Sequence, residues 1–427
     1  MSYEKLAIEG GKPVRESILP FVPVEADVTE EEVDAIMEVL KTKRLSQLTS
    51  EKVREFEEAF AKYYGVEHAI AVNSGTAALH VALAAAGVGP KNDVILPPYT
   101  FIATANAILH QAAVPNFADV NPKTYNLDPK DFEKRITPKT KAVIPVHMLG
   151  QPADMDPIME IAEKHKLMVI EDCAQANGAE YKGKKVGTFG NFGCFSFYLN
   201  KHMTTAGEGG MIITDDEKLA TKARSIANHC RVEVSPYSNV PPHNVYWGIG
   251  YNYRMTAIQA AMGIVQLRRL DDFIAKRIKN AEFLTNHLKD VNGIEPPFVS
   301  KNVKHVYWAY GALVIEEKLG ISRDKLAEAL LAEGIKTEGY CPIPVHLQDI
   351  FKKKMGYGGT KFPFENPLYG SPLSYRKNLC PKAEKLSSQD LLLPVYPALT
   401  EKDLADVVAA IKKGVNNVER LKKCNKA

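Results

Sequence analysis

From His68 onward the chain alternates short apolar runs with amphipathic segments: HAIAV, TAALHVALAAAG, DVILP, TFIATANAILHQA and VPNFADV. The alternation continues through KAVIPVHM, DPIMEIAEKHK and LMVIED. Strand, helix, strand, repeated, is compatible with few topologies. It predicts a largely parallel sheet covered by helices on both faces. GCFSFYL and GMIITD read as two further strands. Ligands on such sheets gather at the carboxyl ends of the strands, so the strand endings are where function is to be sought.

A chain of 427 residues is long for one simple core, and two domains are expected. The first, residues 1–268, is a large α/β unit with an N-terminal arm. Its blocks EEEVDAIMEVLKTK and SEKVREFEEAFAKYYG have helical spacing and are expected on the surface. After Arg268 the segment LRRLDDFIAKRIKNAEFLTNHL reads as a long helix leading into a smaller α/β unit, residues 269–427. Residues 352–385 are rich in Gly, Pro and Lys without a period and read as a long loop, and ADVVAAIKKGVNNVERLKK returns to helix. Lys and Arg total 54 against 51 Asp and Glu, a net charge of +3, with no sustained basic block, which argues against a nucleic-acid partner. No apolar run approaches the ~18 residues of a membrane helix, and the N-terminus lacks a basic segment followed by an apolar core. A cytoplasmic protein is expected. The six cysteines, Cys173, Cys194, Cys230, Cys341, Cys380 and Cys424, are widely spaced and read as reduced thiols.

Three strand endings carry chemistry. In NSGTAA, Ser74, Gly75 and Thr76 stand where a strand hands over to a helix, which suits either an anion cup or an ordinary helix cap. In LMVIEDCAQ an acidic pair ends a buried strand, and alternation lets only one carboxylate enter the crevice. Its partner is either a protonated heteroaromatic nitrogen or a structural Arg, and Gln175 follows close by. In FSFYLNKHMTTAGEGG, Ser196 interrupts an apolar run and Lys201 precedes a glycine-rich turn. A lysine in such a partly apolar pocket has a lowered pKa and becomes a nucleophilic amine able to form a Schiff base. Cup, carboxylate and lysine together describe a site for pyridoxal phosphate.

NSGTAAL, PPYTFIATANAI, PVHMLGQPADMD, VIEDCAQANGA, FSFYLNKHMTTAGEGG and GYNYRMTAIQAAM resemble, in order and spacing, the DegT/StrS-type sugar aminotransferases. The resemblance runs from near residue 7 to the C-terminus and includes GYCPIPVHLQ and LLLPVYPALTEKDL. It implies the type I pyridoxal phosphate-dependent transferase fold, a large mostly parallel sheet domain plus a smaller C-terminal α/β domain, in a homodimer with shared active sites. It implies Lys201 as the lysine that holds the cofactor and moves the proton, and Asp172 as partner of the pyridinium nitrogen. Phe101 would stack on the ring and Gln175 lie near its oxygen or opposite face. Gly75, Thr76 and Ser196 would hold the phosphate, joined by Asn252 of the partner subunit. The reaction implied is transfer from glutamate or glutamine, through pyridoxamine phosphate, to a keto sugar or keto cyclitol. His346 is a candidate substrate contact.

Two features depart from the family pattern. Ala257 stands where an acidic residue often follows the Met-Thr pair, and residues 352–385 are longer than in typical nucleotide-sugar members, closer to those acting on cyclitol ketones. Two rival readings share these motifs: a pyridoxamine-dependent deoxysugar dehydratase, whose histidine replaces the lysine, and a non-catalytic ligand sensor. His202 motivates the first, but it lies one residue beyond the lysine position.

Overall fold

The computed structural model describes residues 4–232 and 244–423. The alternating region yields β1 (His68–Val72), β2 (Asp93–Leu96), β3 (Val114–Phe117), β4 (Thr140–Val143) and β5 (Met168–Asp172). Next come the short β6 (Glu180–Tyr181) and β7 (Lys184–Lys185), then β8 (Phe192–Ser196) and β9 (Gly210–Thr214). The C-terminal part adds β10 (Ile294–Glu295), β11 (Val303–Lys304), β12 (Tyr310–Val314) and β13 (Asp390–Leu393). A seven-stranded sheet has the order β1-β9-β8-β5-β4-β2-β3. Its strands are parallel except β9, which opposes β1 and β8. β10, β12 and β13 make a separate antiparallel sheet, and β11 joins β6 and β7 in a small ribbon.

The strands of the large sheet are buried on both faces, as helix-covered parallel sheets require. β5 shows the alternation: Val169 enters one hydrophobic core and Ile170 the other. The helix Lys52–Tyr64, expected on the surface, is a covering layer. Its Phe56 and Phe60 are fully buried, and Phe60 meets Phe195 of β8 edge-on with ring centroids 5.2 Å apart. Each ring contributes roughly 1.5–3 kcal/mol relative to exposure. The long helix starts earlier than expected, spanning Ala257–Leu288 behind a Thr256–Gln259 capping box, so residue 268 falls within it.

Residues 352–385 are not all loop. The helix Pro381–Gln389 takes their end, starting at a proline whose missing N–H costs nothing there. The rest packs on the large sheet and its helices: Phe364, Tyr369 and Tyr375 belong to the same core as β2 and β3. The Tyr369 hydroxyl lies 3.1 Å from buried Asp93, and the Tyr375 hydroxyl donates to the Pro115 carbonyl at 2.8 Å. The five described cysteines are buried and free; Cys424 lies outside the described residues. Among the described residues no helix is long and apolar enough to cross a membrane.

Candidate active site

A cavity of about 480 Å³ opens at the carboxyl ends of β1, β5 and β8. It brings together seven of the residues singled out above: Gly75, Thr76, Phe101, Asp172, Gln175, Ser196 and Lys201. The helix Gly75–Ala85 begins directly after β1, with Ser74 Oγ accepting from the Ala77 amide at 3.1 Å. A Cβ on Gly75 would lie 2.7 Å from the Ser196 Cβ, so only glycine lets the helix start close against β8. The amides of Gly75 and Thr76 and the Ser196 hydroxyl proton find no acceptor among the described residues.

The acidic pair divides as alternation demands. Glu171, wholly buried, accepts from His147 Nε2 at 3.0 Å and from the amides of Gly187, Phe189 and Gly190 at 2.7–2.8 Å. His147 Nδ1 accepts from the Ala153 amide, which makes the ring neutral with its proton on Nε2. This cluster, with Cys173 nearby, is therefore a closed hydrogen-bonded unit with both ring nitrogens committed. Asp172 faces the cavity instead. Its Oδ1 accepts from the Ala174 amide at 3.1 Å and its Oδ2 from the Thr104 hydroxyl at 2.9 Å, which leaves Thr104 to accept from Thr100 at 2.8 Å. Burial raises the Asp172 pKa, and these donors and Lys201 oppose the shift.

Lys201 lies in the loop between β8 and β9, half-buried, with Nζ 4.8 Å from the centroid of the Trp308 ring. Burial pushes its pKa down to about 8, and Asp172 pulls it back upward. Trp308 is itself fastened by its indole N–H, which donates to the Asn200 carbonyl at 2.9 Å. Gln175 is held at both ends of its amide, accepting from the Leu149 N–H at 2.8 Å and donating to the Tyr340 hydroxyl at 2.6 Å. Phe101 is 64% exposed, an aromatic side chain largely open among the described residues.

The remaining candidates lie elsewhere. Asn252 is exposed and outside the cavity, bridged to Asn228. His346 does not line this chain's cavity: it is fully buried, with Nε2 3.1 Å from Glu384 and its ring packed on Phe117. The turn that carries it docks on the large sheet through the Val345 amide and the Pro98 carbonyl. His202 is also buried and turned away, donating from Nε2 to the Val306 carbonyl at 3.1 Å. Thr104, Trp308 and Tyr340 were not anticipated. Thr104 lies one helical turn after Phe101 within a motif already noted, so its signal was present; the other two arrive from distant sequence.

The profile of the DegT/DnrJ/EryC1/StrS aminotransferase family matches residues 26–412. The chain belongs to this family. Among its relatives is the GDP-perosamine synthase of Caulobacter vibrioides, 40% identical over 89% of this chain and 94% of that one. Another is the putative L-glutamine:3-amino-2,3-dideoxy-scyllo-inosose aminotransferase of Streptoalloteichus tenebrarius, 35% identical over 98% of this chain and 99% of that one. The structure of NtdA from Bacillus subtilis, with bound cofactor PMP, superposes with a TM-score of 0.79 at 31% identity, covering 94% of this chain and 86% of that one. The architecture is the type I fold of pyridoxal phosphate-dependent transferases, and the chain is an aminotransferase of the DegT/DnrJ/EryC1/StrS family.

Proposed function

We propose that this chain transfers an amino group from glutamate or glutamine to a keto sugar, often nucleotide-linked, or to a keto cyclitol, using pyridoxal phosphate, in amino-sugar or aminocyclitol biosynthesis. The observation that carries this reading is an amine of depressed pKa, Lys201, sharing one cavity with the buried carboxylate of Asp172. The residues suit the cofactor: amides at Gly75 and Thr76 without an acceptor among the described residues and the Ser196 hydroxyl for a phosphate, the open Phe101 face for a ring, and an amine without an acidic hydrogen-bond partner among the described residues for an aldehyde. When bound, pyridoxal phosphate supplies the carbonyl that carries nitrogen covalently and the ring that accepts the electron pair released at the substrate carbon.

Lys201 Nζ would hold the cofactor and move the proton, and its depressed pKa leaves it a competent base near neutrality. Asp172 would keep a proton on the ring nitrogen, with Thr104 and the Ala174 amide fixing the carboxylate's orientation. Phe101 would cover one ring face, and Gln175, immobilised by Leu149 and Tyr340, would lie toward the ring's oxygen or its other face. Asn252 of the partner subunit would complete the phosphate contacts in a cytoplasmic homodimer. We place a division near residue 268 between a large unit, residues 1–268, and a small unit, residues 269–427, with residues 352–385 folded back onto the former. The inward-turned His202 gives the dehydratase reading no support.

The test is to load the protein with pyridoxamine phosphate and screen keto sugars and keto cyclitols by mass spectrometry for the aminated product. Amide- and α-¹⁵N-labelled donors then decide between glutamine and glutamate. Amination of no ketone and consumption of no donor would leave a ligand sensor in place of an enzyme.

A further inference from the structure

A second cavity, of 160 Å³, shares Lys201 with the first and is otherwise walled by different residues, among them Leu199, His202, Phe273, Arg277 and Tyr396. Arg277 projects from the long helix and is 1% exposed. Its Nη1 donates to the carbonyls of Tyr307 at 3.2 Å and Trp308 at 3.0 Å, while Nε has no acceptor. Among the described residues no acid pairs with it, and its pKa is lowered by burial alone. The nearby acids are committed: Asp27 and Glu32 pair with Arg269, and Glu32 also accepts from Gln266. Only Glu25, exposed at the rim of the cavity, is left. His202, 3% exposed, has an unpartnered Nδ1 in the same cavity wall.

A buried guanidinium without a counter-charge is costly, and backbone carbonyls satisfy its hydrogens without cancelling its charge. Water alone has the same shortcoming. We propose that Arg277 is the base of a binding site for a small monovalent anion, a halide or a short carboxylate, which accepts from the unoccupied guanidinium hydrogens inside this cavity. At about 30 Å³ per water, the cavity holds such an anion with part of its hydration shell. Burial and the neighbouring Arg277 push the His202 pKa well down, so the ring is neutral with its Nε2 proton on the Val306 carbonyl, and the guanidinium is the donor of the site. The site adjoins the reacting amine, because Arg277 holds the carbonyl of the residue whose ring lies against Lys201 Nζ. This inference does not depend on which ketone is aminated.

The experiment uses the holoenzyme. Crystals soaked in sodium bromide are expected to show an anomalous peak within hydrogen-bond distance of Arg277 Nη2, and excess formate is expected to quench it. Replacing sodium gluconate, too bulky for the cavity, by sodium bromide at fixed ionic strength is expected to raise Tm saturably, and the rise is expected to vanish in Arg277→Met. Absence of the peak, or an equal rise in Arg277→Met, overturns the site. A peak that formate leaves intact removes the carboxylate from the proposal. If Arg277→Met does not fold, the peak alone decides. If Glu25 is the natural counter-charge, the wild type shows neither signal and Glu25→Gln acquires both, which also overturns the proposal.

Discussion

Lys201 concentrates the residue-scale chemistry because two opposed effects act on one amine. Burial favours the neutral form and Asp172 the charged form, and burial wins, leaving the pKa at about 8. The neutral amine is the nucleophile, so covalent capture of pyridoxal phosphate by the apoenzyme should accelerate about tenfold per pH unit below about 8 and level off above it. Stopped-flow absorbance checks this, and a flat profile between pH 6 and 8 contradicts it. Lys201→Ala is expected to keep its Tm within a few degrees, to yield no borohydride-trapped adduct by mass spectrometry, and to lose about 10²–10⁴-fold in turnover. Asp172→Asn keeps the shape but not the charge, and turnover should fall by about 10²–10³-fold with cofactor still bound.

At the scale of elements, the end of β5 does two jobs with adjacent side chains. Asp172 serves the cavity, while Glu171 fastens His147 and the Gly187–Gly190 turn through four donors on the opposite face. Glu171→Gln presents an NH₂ group to donors and should destabilise the protein by about 3–5 kcal/mol, read as a drop in the urea midpoint. The junction of β1 with its helix depends on a missing side chain. Gly75→Ala places a methyl 2.7 Å from the Ser196 Cβ, so either the helix start or β8 must move. Weaker cofactor binding, by about tenfold or more, is the expected result in an equilibrium titration.

For the whole molecule, the segment of residues 352–385 ties distant sequence onto the edge of the large sheet. Tyr369→Phe leaves buried Asp93 one partner short and should cost about 1–3 kcal/mol of stability with cofactor affinity unchanged. Several large apolar side chains are exposed among the described residues, including Phe101, Trp247 at 50% and Ile249 at 86% exposure. Sedimentation equilibrium should therefore give twice the chain mass, and Asn252→Ala should weaken cofactor binding although Asn252 lies outside its own chain's cavity. A monomer with full activity contradicts both.

What could be read along the chain was what neighbouring residues encode. The alternation of apolar runs set the layered sheet, because strand and helix periods are local properties, and the strand endings located Lys201, Asp172 and the Gly75 junction. The family resemblance, carried by the same motifs, supplied the chemistry. Only the tertiary structure decided which carboxylate of the acidic pair entered the cavity, which histidines turned away from it, and which aromatic residues arrived from the far end of the chain. His346, a candidate substrate contact in its motif, is buried against Glu384, while Trp308 and Tyr340 lie against Lys201 and Gln175 from more than a hundred residues away. Such contacts are selected by packing and by the need of buried polar groups for partners, and neither leaves a periodic trace in sequence.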